Sequence, residues 1–67
     1  MFIILIEDIQ GKILNINCRA YKFDTDLTNF LVIDNAYIVY NKEGDKKYYK
    51  FFYVNLTLVK YFSIDEL

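Results

Sequence analysis

The feature that most constrains the fold of this chain is its choice of residues: β-branched and aromatic side chains dominate, alanine occurs twice and proline is absent. β-Branched and aromatic residues favour strands, because their side chains pack well on a pleated, half-buried surface. They occur in short runs that polar turn residues separate. The sequence therefore predicts an all-β fold.

Turn signals divide the chain into six predicted strands. Gln10-Gly11 separates the first strand from the second, and Asn55 joins the last two. Asp34-Asn35 predicts a tight hairpin, because Asn tolerates the positive φ that a two-residue turn requires. The predicted strands are residues 2–9, 12–19, 30–33, 36–40, 48–54 and 57–64.

The first two strands differ in their patterns. Residues 2–9 are apolar on both faces, so we expect this strand to be central or covered on both sides. Residues 12–19 alternate strictly, with Leu14, Ile16 and Cys18 on one face. This alternation predicts a half-buried strand whose apolar face lines the core.

Two segments leave alternatives open. Residues 24–29 predict a loop or a single helical turn, since their Asp, Thr and Asn side chains can bond to nearby backbone. Near the C-terminus, Leu56, Val59 and Phe62 also lie at helical spacing. A helix there would place acidic residues at its C-terminus, where the helix dipole disfavours negative charge, so a strand is the preferred prediction.

These elements predict one domain over residues 1–67. We expect a five- to six-stranded antiparallel meander or a small, partly open barrel of the SH3-like or OB-like kind. A chain of this length sits near the lower limit for folding on its hydrophobic core alone. Such folds host many functions, so the architecture by itself indicates none.

The composition argues against catalysis and metal binding. The chain has no histidine to act as a base near neutral pH, and one cysteine. Cys18 falls on the apolar face of the second strand, which predicts an inert core thiol. The neighbouring carboxylates, such as Glu7 with Asp8, are typical of solvated turns and termini. We therefore expect no enzyme, no catalytic residues, no metal site and no cofactor.

The overall charge and the N-terminus bear on location and partners. A net charge of −1 is too balanced for binding that depends mainly on nucleic-acid phosphates. The apolar start, residues 1–6, meets acidic residues at once and is far shorter than a membrane span. We therefore expect a cytoplasmic protein that does not use a membrane.

The segment 42–53 holds the densest group of side chains suited to binding. Five aromatic residues occupy the six positions from Tyr48 to Tyr53, and four lysines outnumber Glu43 and Asp45. Basic groups beside aromatic rings can bind single-stranded nucleic acid by base stacking and phosphate contacts. The same combination can anchor a protein partner. The lysines are Lys42, Lys46, Lys47 and Lys50.

Alternation predicts which face of this strand is exposed to solvent. Because burying an unpaired ammonium would be costly, we expect the face that carries Lys50 to be the outer one. The aromatic residues expected to face the core are Tyr49, Phe51 and Tyr53. The residues expected to bind a partner are Tyr48, Lys50, Phe52, Lys46 and Lys47. The alternative is that these rings form a self-interface or lie under the C-terminal segment.

The sequence thus predicts a small protein-interaction module, an inhibitor or adaptor of the kind that mobile genetic elements encode, with another protein as its partner. Two alternatives stay open. One is a single-stranded nucleic-acid-binding module that uses residues 46–53. The other is a structural homo-oligomer in which exposed strand edges pair between copies.

Overall fold

The structure is a computed structural model that describes residues 1–24, 26, 29–39 and 43–67. The described residues form antiparallel strands and one 3₁₀ turn, so the predicted all-β class is confirmed. In chain order the elements are β1 (Phe2–Asp8), β2 (Ile13–Cys18), β3 (Ala20–Asp24), β4 (Phe30–Val39), β5 (Lys46–Asn55), the 3₁₀ turn (Leu56–Leu58) and β6 (Val59–Glu66).

The strands form one sheet that curls into a half-barrel. β1 lies between β2 and β6, as its two apolar faces predicted. β4 pairs with β2 and β3 along one edge and with β5 along the other. β5 and β6 therefore lie on opposite sides of the sheet, although only the 3₁₀ turn separates them in sequence. That short connection requires the sheet to curl, which gives the predicted partly open barrel.

The turn between β1 and β2 shows how local chemistry fixes the strand ends. The Asp8 carboxylate accepts hydrogen bonds from the backbone N–H groups of Gln10, at 2.9 Å, and Lys12, at 2.8 Å. Gly11 adopts φ +84°, a conformation that L-residues with a Cβ avoid. The predicted turn at Gln10-Gly11 is therefore confirmed.

The 3₁₀ turn is fixed in the same way by Asn55. Its side-chain oxygen accepts from the backbone N–H of Thr57, at 3.1 Å, and from the Thr57 hydroxyl, at 2.7 Å. The backbone N–H of Leu56 donates to the carbonyl of Asn29, and that of Ile9 donates to the carbonyl of Leu58. These bonds tie the turn to both halves of the sheet.

The predicted hairpin at Asp34-Asn35 is wrong. Asn35 does adopt a positive φ, +52°, but β4 runs through it as one strand of ten residues. Residues 30–34 pair with β3 and residues 37–39 with β2, so neither half of β4 is available to fold back on the other. The positive φ interrupts one long strand and does not reverse it.

Other sequence predictions have mixed outcomes. The C-terminal strand is confirmed as β6, and the helical alternative is wrong, although residues 56–58 form the 3₁₀ turn. β3 was not predicted. In the segment 24–29, Asp24 ends β3 and its side chain accepts from the backbone N–H of Asp26, at 3.1 Å. The predicted loop positions 25, 27 and 28, the predicted strand position 40 and Lys42 lie outside the described residues.

The core lies on the concave face of the half-barrel. Ile4, Ile16, Leu31 and Ile33 are fully buried, and burial of each such side chain stabilises the fold by roughly 1.5–3 kcal/mol. Cys18 is buried beside them, as predicted. Burial raises the pKa of its thiol above the ordinary value, because the thiolate is poorly solvated there.

The alternation of inward-facing and outward-facing residues changes phase in the middle of β4, where the inward-facing residues switch from odd to even numbers. Leu31 and Ile33 face the core in its first half, whereas Ala36 and Ile38 do so in its second half. Regular alternation would keep one parity throughout. The change falls at Asn35, where the positive φ interrupts the alternation.

β5 changes phase at the same place. Tyr49 packs against the core before the change, and Phe52 and Val54 do so after it. Lys50 and Phe51 between them are both exposed. β4 and β5 keep one pairing register across this point, with Ala36 opposite Tyr49 and Asp34 opposite Phe51. The two strands therefore shift together, and this shift decides which rings reach the surface.

Candidate functional site

The convex face of the β4–β5 hairpin exposes four aromatic side chains, which we call the outer aromatic surface. They are Tyr37, Tyr48, Phe51 and Tyr53, with 45%, 48%, 51% and 61% of their surface exposed. Aromatic residues bury large apolar areas when they find a partner, so exposing four on one hairpin leaves much of their apolar area in contact with water. This surface is the strongest candidate for a functional site.

Tyr37 and Tyr48 form one half of this surface. They stand opposite each other on β4 and β5, with their ring centroids 4.9 Å apart and the rings tilted at 48°. The Tyr48 hydroxyl donates a hydrogen bond to the side-chain oxygen of Asn35, whose amide in turn donates to Asp34, at 3.1 Å. Tyr48 is thus held in place by the residue that interrupts the alternation.

Phe51 and Tyr53 form the other half, beyond the change of phase. Phe51 stands opposite Asp34 on β4, and Tyr53 stands opposite Val32. The Lys50 ammonium lies 6.0 Å from the centre of the Phe51 ring, at the outer limit for a cation–π contact. This half of the surface therefore combines aromatic rings with an adjacent positive charge.

The concave side of the same hairpin holds a groove, which we call the inner groove. Its volume is ≈ 530 Å³. The Lys47 ammonium lies over the Tyr49 ring at 5.3 Å from its centre, and that ring packs against Phe52, with centroids 5.2 Å apart. The lining residues are Lys12, Leu14, Ile38, Lys47, Tyr49 and Phe52. The inner groove is the open side of the half-barrel, where the core meets solvent.

The structure divides the predicted binding residues between these two places. Tyr48 belongs to the outer aromatic surface and Lys50 is exposed beside it, whereas Lys46 shares the face of Tyr48 by alternation. Lys47 and Phe52 line the inner groove instead. The expectation that Phe52 lies on the outer face is therefore wrong, because its ring packs against the core.

The predicted orientation of two other rings is wrong because β5 changes phase. Phe51 and Tyr53 were predicted to face the core with Tyr49, but both are exposed. The prediction assumed unbroken alternation from residue 48 to residue 54, whereas β5 changes phase between Lys50 and Phe51. The signal that could have located this change was Asn35, whose tolerance of positive φ fits an interruption within a strand as well as a turn.

Two carboxylates of the first strand make local contacts. Glu7 approaches the Lys60 ammonium at 4.0 Å, and Asp8 caps the first turn. Within the described residues, no three Cys, Asp or Glu side chains come together in a way that could hold a metal ion.

The part of the chain that the structure describes contains no helix with the length and apolar character needed to cross a bilayer. Comparison with known proteins finds no match to a protein-family model, to a curated protein or to a solved structure.

Proposed function

We propose that this chain is a protein-interaction module that binds another protein through the outer aromatic surface. The observation that carries the proposal is the exposure of four rings on one hairpin. Tyr and Phe are enriched at the centres of protein interfaces, where they bury large areas at a low cost in side-chain entropy. A partner that covers these rings would recover the apolar burial that the free chain lacks.

The anchoring of Tyr48 supports this proposal. Its hydroxyl donates to Asn35 on β4, and β4 pairs with β3 over residues 30–34 and with β2 over residues 37–39. A ring that is already fixed in position loses little freedom on binding, which favours affinity. An inhibitor or adaptor suits such a surface, since either acts by occupying a partner's surface and needs no reactive group.

The arrangement of the lysines favours a protein over a single-stranded nucleic acid as the partner. Lys46 and Lys50 share the outer side of β5, but Lys47 faces the inner groove. Asp34 also stands opposite Phe51 on the outer side. A binding site for nucleic acid needs cations that follow one phosphate backbone, and these lysines diverge.

The test is capture of partners from the parental cell lysate with the wild-type chain and with the double variant Tyr37→Ala/Tyr48→Ala. We expect the double variant to lose the specific partner, because it removes two neighbouring rings of the outer aromatic surface. Tyr61→Ala is the matched control, since Tyr61 is exposed to a similar extent, 54%, but lies on β6. The control should keep the partner.

Circular dichroism must show that the double variant still folds. Capture of the same partner, with the same affinity, by the folded double variant would refute the proposal. A titration with labelled single-stranded DNA and RNA tests the alternative partner class. Binding that weakens steeply with salt would indicate nucleic acid as the ligand.

A further inference from the structure

The free edge of β5 is the feature of this fold that remains without an explanation. β5 is ten residues long, and in the described part of the chain its only strand partner is β4. A long edge strand presents backbone donors and acceptors along its free side, and it can accept another strand. The question is which strand fits it.

A second copy of β5 is one candidate, and symmetry restricts how it can pair. In an antiparallel pair, residues that stand opposite each other point to the same face of the sheet. In a regularly alternating strand, the two-fold axis must therefore lie midway between one residue and the same residue of the other copy. We call this an axis through that residue. β5 departs from this rule because its facing changes phase between Lys50 and Phe51.

For β5, an axis through a single residue near the centre fails. An axis through Lys50 would place Tyr49, which faces inward, opposite Phe51, which faces outward. An axis through Phe51 would place Lys50, which faces outward, opposite Phe52, which packs against the core. Both arrangements put side chains on opposite faces, which an antiparallel pair cannot accommodate.

An axis between Lys50 and Phe51 succeeds along the whole strand. Inward-facing residues then meet inward-facing residues, and outward-facing residues meet outward-facing ones. This axis also falls at the midpoint of Lys46–Asn55, so no residue of the strand is left unpaired. The opposed pairs are Lys46 with Asn55, Lys47 with Val54, Tyr48 with Tyr53, Tyr49 with Phe52, and Lys50 with Phe51.

The chemistry of these pairs is also self-complementary. No lysine stands opposite a lysine, although β5 contains three. Tyr48 meets the partner copy's Tyr53 on the outer side, and aromatic cross-strand pairs stabilise antiparallel sheets. Lys50 meets the partner copy's Phe51, which extends across the axis the cation–π contact already present within one chain.

We propose that two copies of this chain pair edge to edge through β5, antiparallel, about a two-fold axis between Lys50 and Phe51. The two half-barrels then share one continuous sheet. Their outer aromatic surfaces join into one surface of twice the area, which a partner protein could bind. This dimer does not depend on the proposed function, because the pairing uses the strand edge.

Two variants at one position test the axis. Phe51→Lys places like charges across the axis, opposite Lys50 of the other copy, whereas Phe51→Glu places opposite charges there. Both variants lose the same ring, so each is the control for the other. The cross-strand charge pair weakens the Phe51→Lys dimer and strengthens the Phe51→Glu dimer. We expect the dissociation constant of the Phe51→Lys dimer to be at least about tenfold higher than that of the Phe51→Glu dimer.

Fold stability should differ much less between the two variants. Within one chain residue 51 stands opposite Asp34 and beside Lys50, so a charge at position 51 attracts one of these neighbours and repels the other. Sedimentation equilibrium would measure the dimer, and urea denaturation at low protein concentration would measure the fold. A difference in dimer dissociation between the two variants that is no larger than their difference in fold stability would therefore contradict the proposal.

Nuclear magnetic resonance gives an independent readout. Tyr48 and Tyr53 are about 16 Å apart along one strand, so a nuclear Overhauser effect between their rings can arise only between copies. We expect this effect in the wild-type dimer. A wild-type chain that stays monomeric at millimolar concentration would overturn the proposal, as would equal dissociation constants for the two variants at position 51. Unchanged partner capture by the folded Tyr37→Ala/Tyr48→Ala variant, together with a wild-type dimer, would refute only the proposed function.

Discussion

β4 and β5 have the same length and pair in one register from end to end, but their environments are opposite. Five residues of β4 are buried, whereas Val54 is the one buried residue of β5. β5 has five aromatic residues between Tyr48 and Tyr53, so the difference does not come from a lack of apolar side chains. It comes from position, because β4 is covered by strands on both edges and β5 on one. An apolar strand at an edge therefore leaves much of its apolar area in contact with water.

The largest expected effect is the difference in stability between a variant truncated at a buried residue of β4 and a variant truncated at an exposed residue of β5. Ile33→Ala should lower the free energy of unfolding by about 2–5 kcal/mol, since it leaves a cavity in the core. Tyr53→Ala should lower it by less than about 1 kcal/mol, because that ring is 61% exposed. Urea denaturation followed by circular dichroism, at one low protein concentration, measures both. Equal losses would contradict the assignment of β4 as the centre and β5 as the edge.

A medium effect is expected at the residue where both strands change phase. Asn35→Ala should destabilise the fold by about 1–2 kcal/mol, because alanine is strained at φ +52°. Asn35→Gly is the matched control: it loses the same side-chain bonds but accepts the backbone angle. Thermal denaturation of the two variants compares them. If the glycine variant were the less stable of the two, strain at this angle could not be the reason for asparagine there.

The smallest effect concerns the bond that ties β5 to this bend. Tyr48→Phe removes the hydroxyl that donates to Asn35 and keeps the ring against Tyr37. We expect a loss of about 0.5–1 kcal/mol in the free energy of unfolding, the usual contribution of one hydrogen bond. Partner capture should be nearly unchanged, because the ring remains. A large loss of capture would show that the partner recognises the hydroxyl and that the aromatic area is secondary.

The sequence predicted the features that depend on local chemistry. Strand composition, the turn at Gly11, the buried thiol of Cys18 and the positive φ of Asn35 all follow from the residues concerned. It did not predict that β4 continues through Asn35, because whether a positive φ reverses or bends a chain depends on the strands beside it. The exposure of Phe51 and Tyr53 was missed for this reason, since it results from a bend encoded fifteen or more residues earlier.

The shared change of phase has a consequence for how the chain finds its register. A regular strand can slip by two residues and still present its apolar side to the core, so alternation alone does not exclude such errors. In β4 and β5 a slip of two residues would bring the interruption in one strand against regular alternation in the other, and some apolar side chains would then point into water. The paired interruptions at Asn35 and Lys50 therefore specify the register of the two strands, which should disfavour misaligned hairpins during folding.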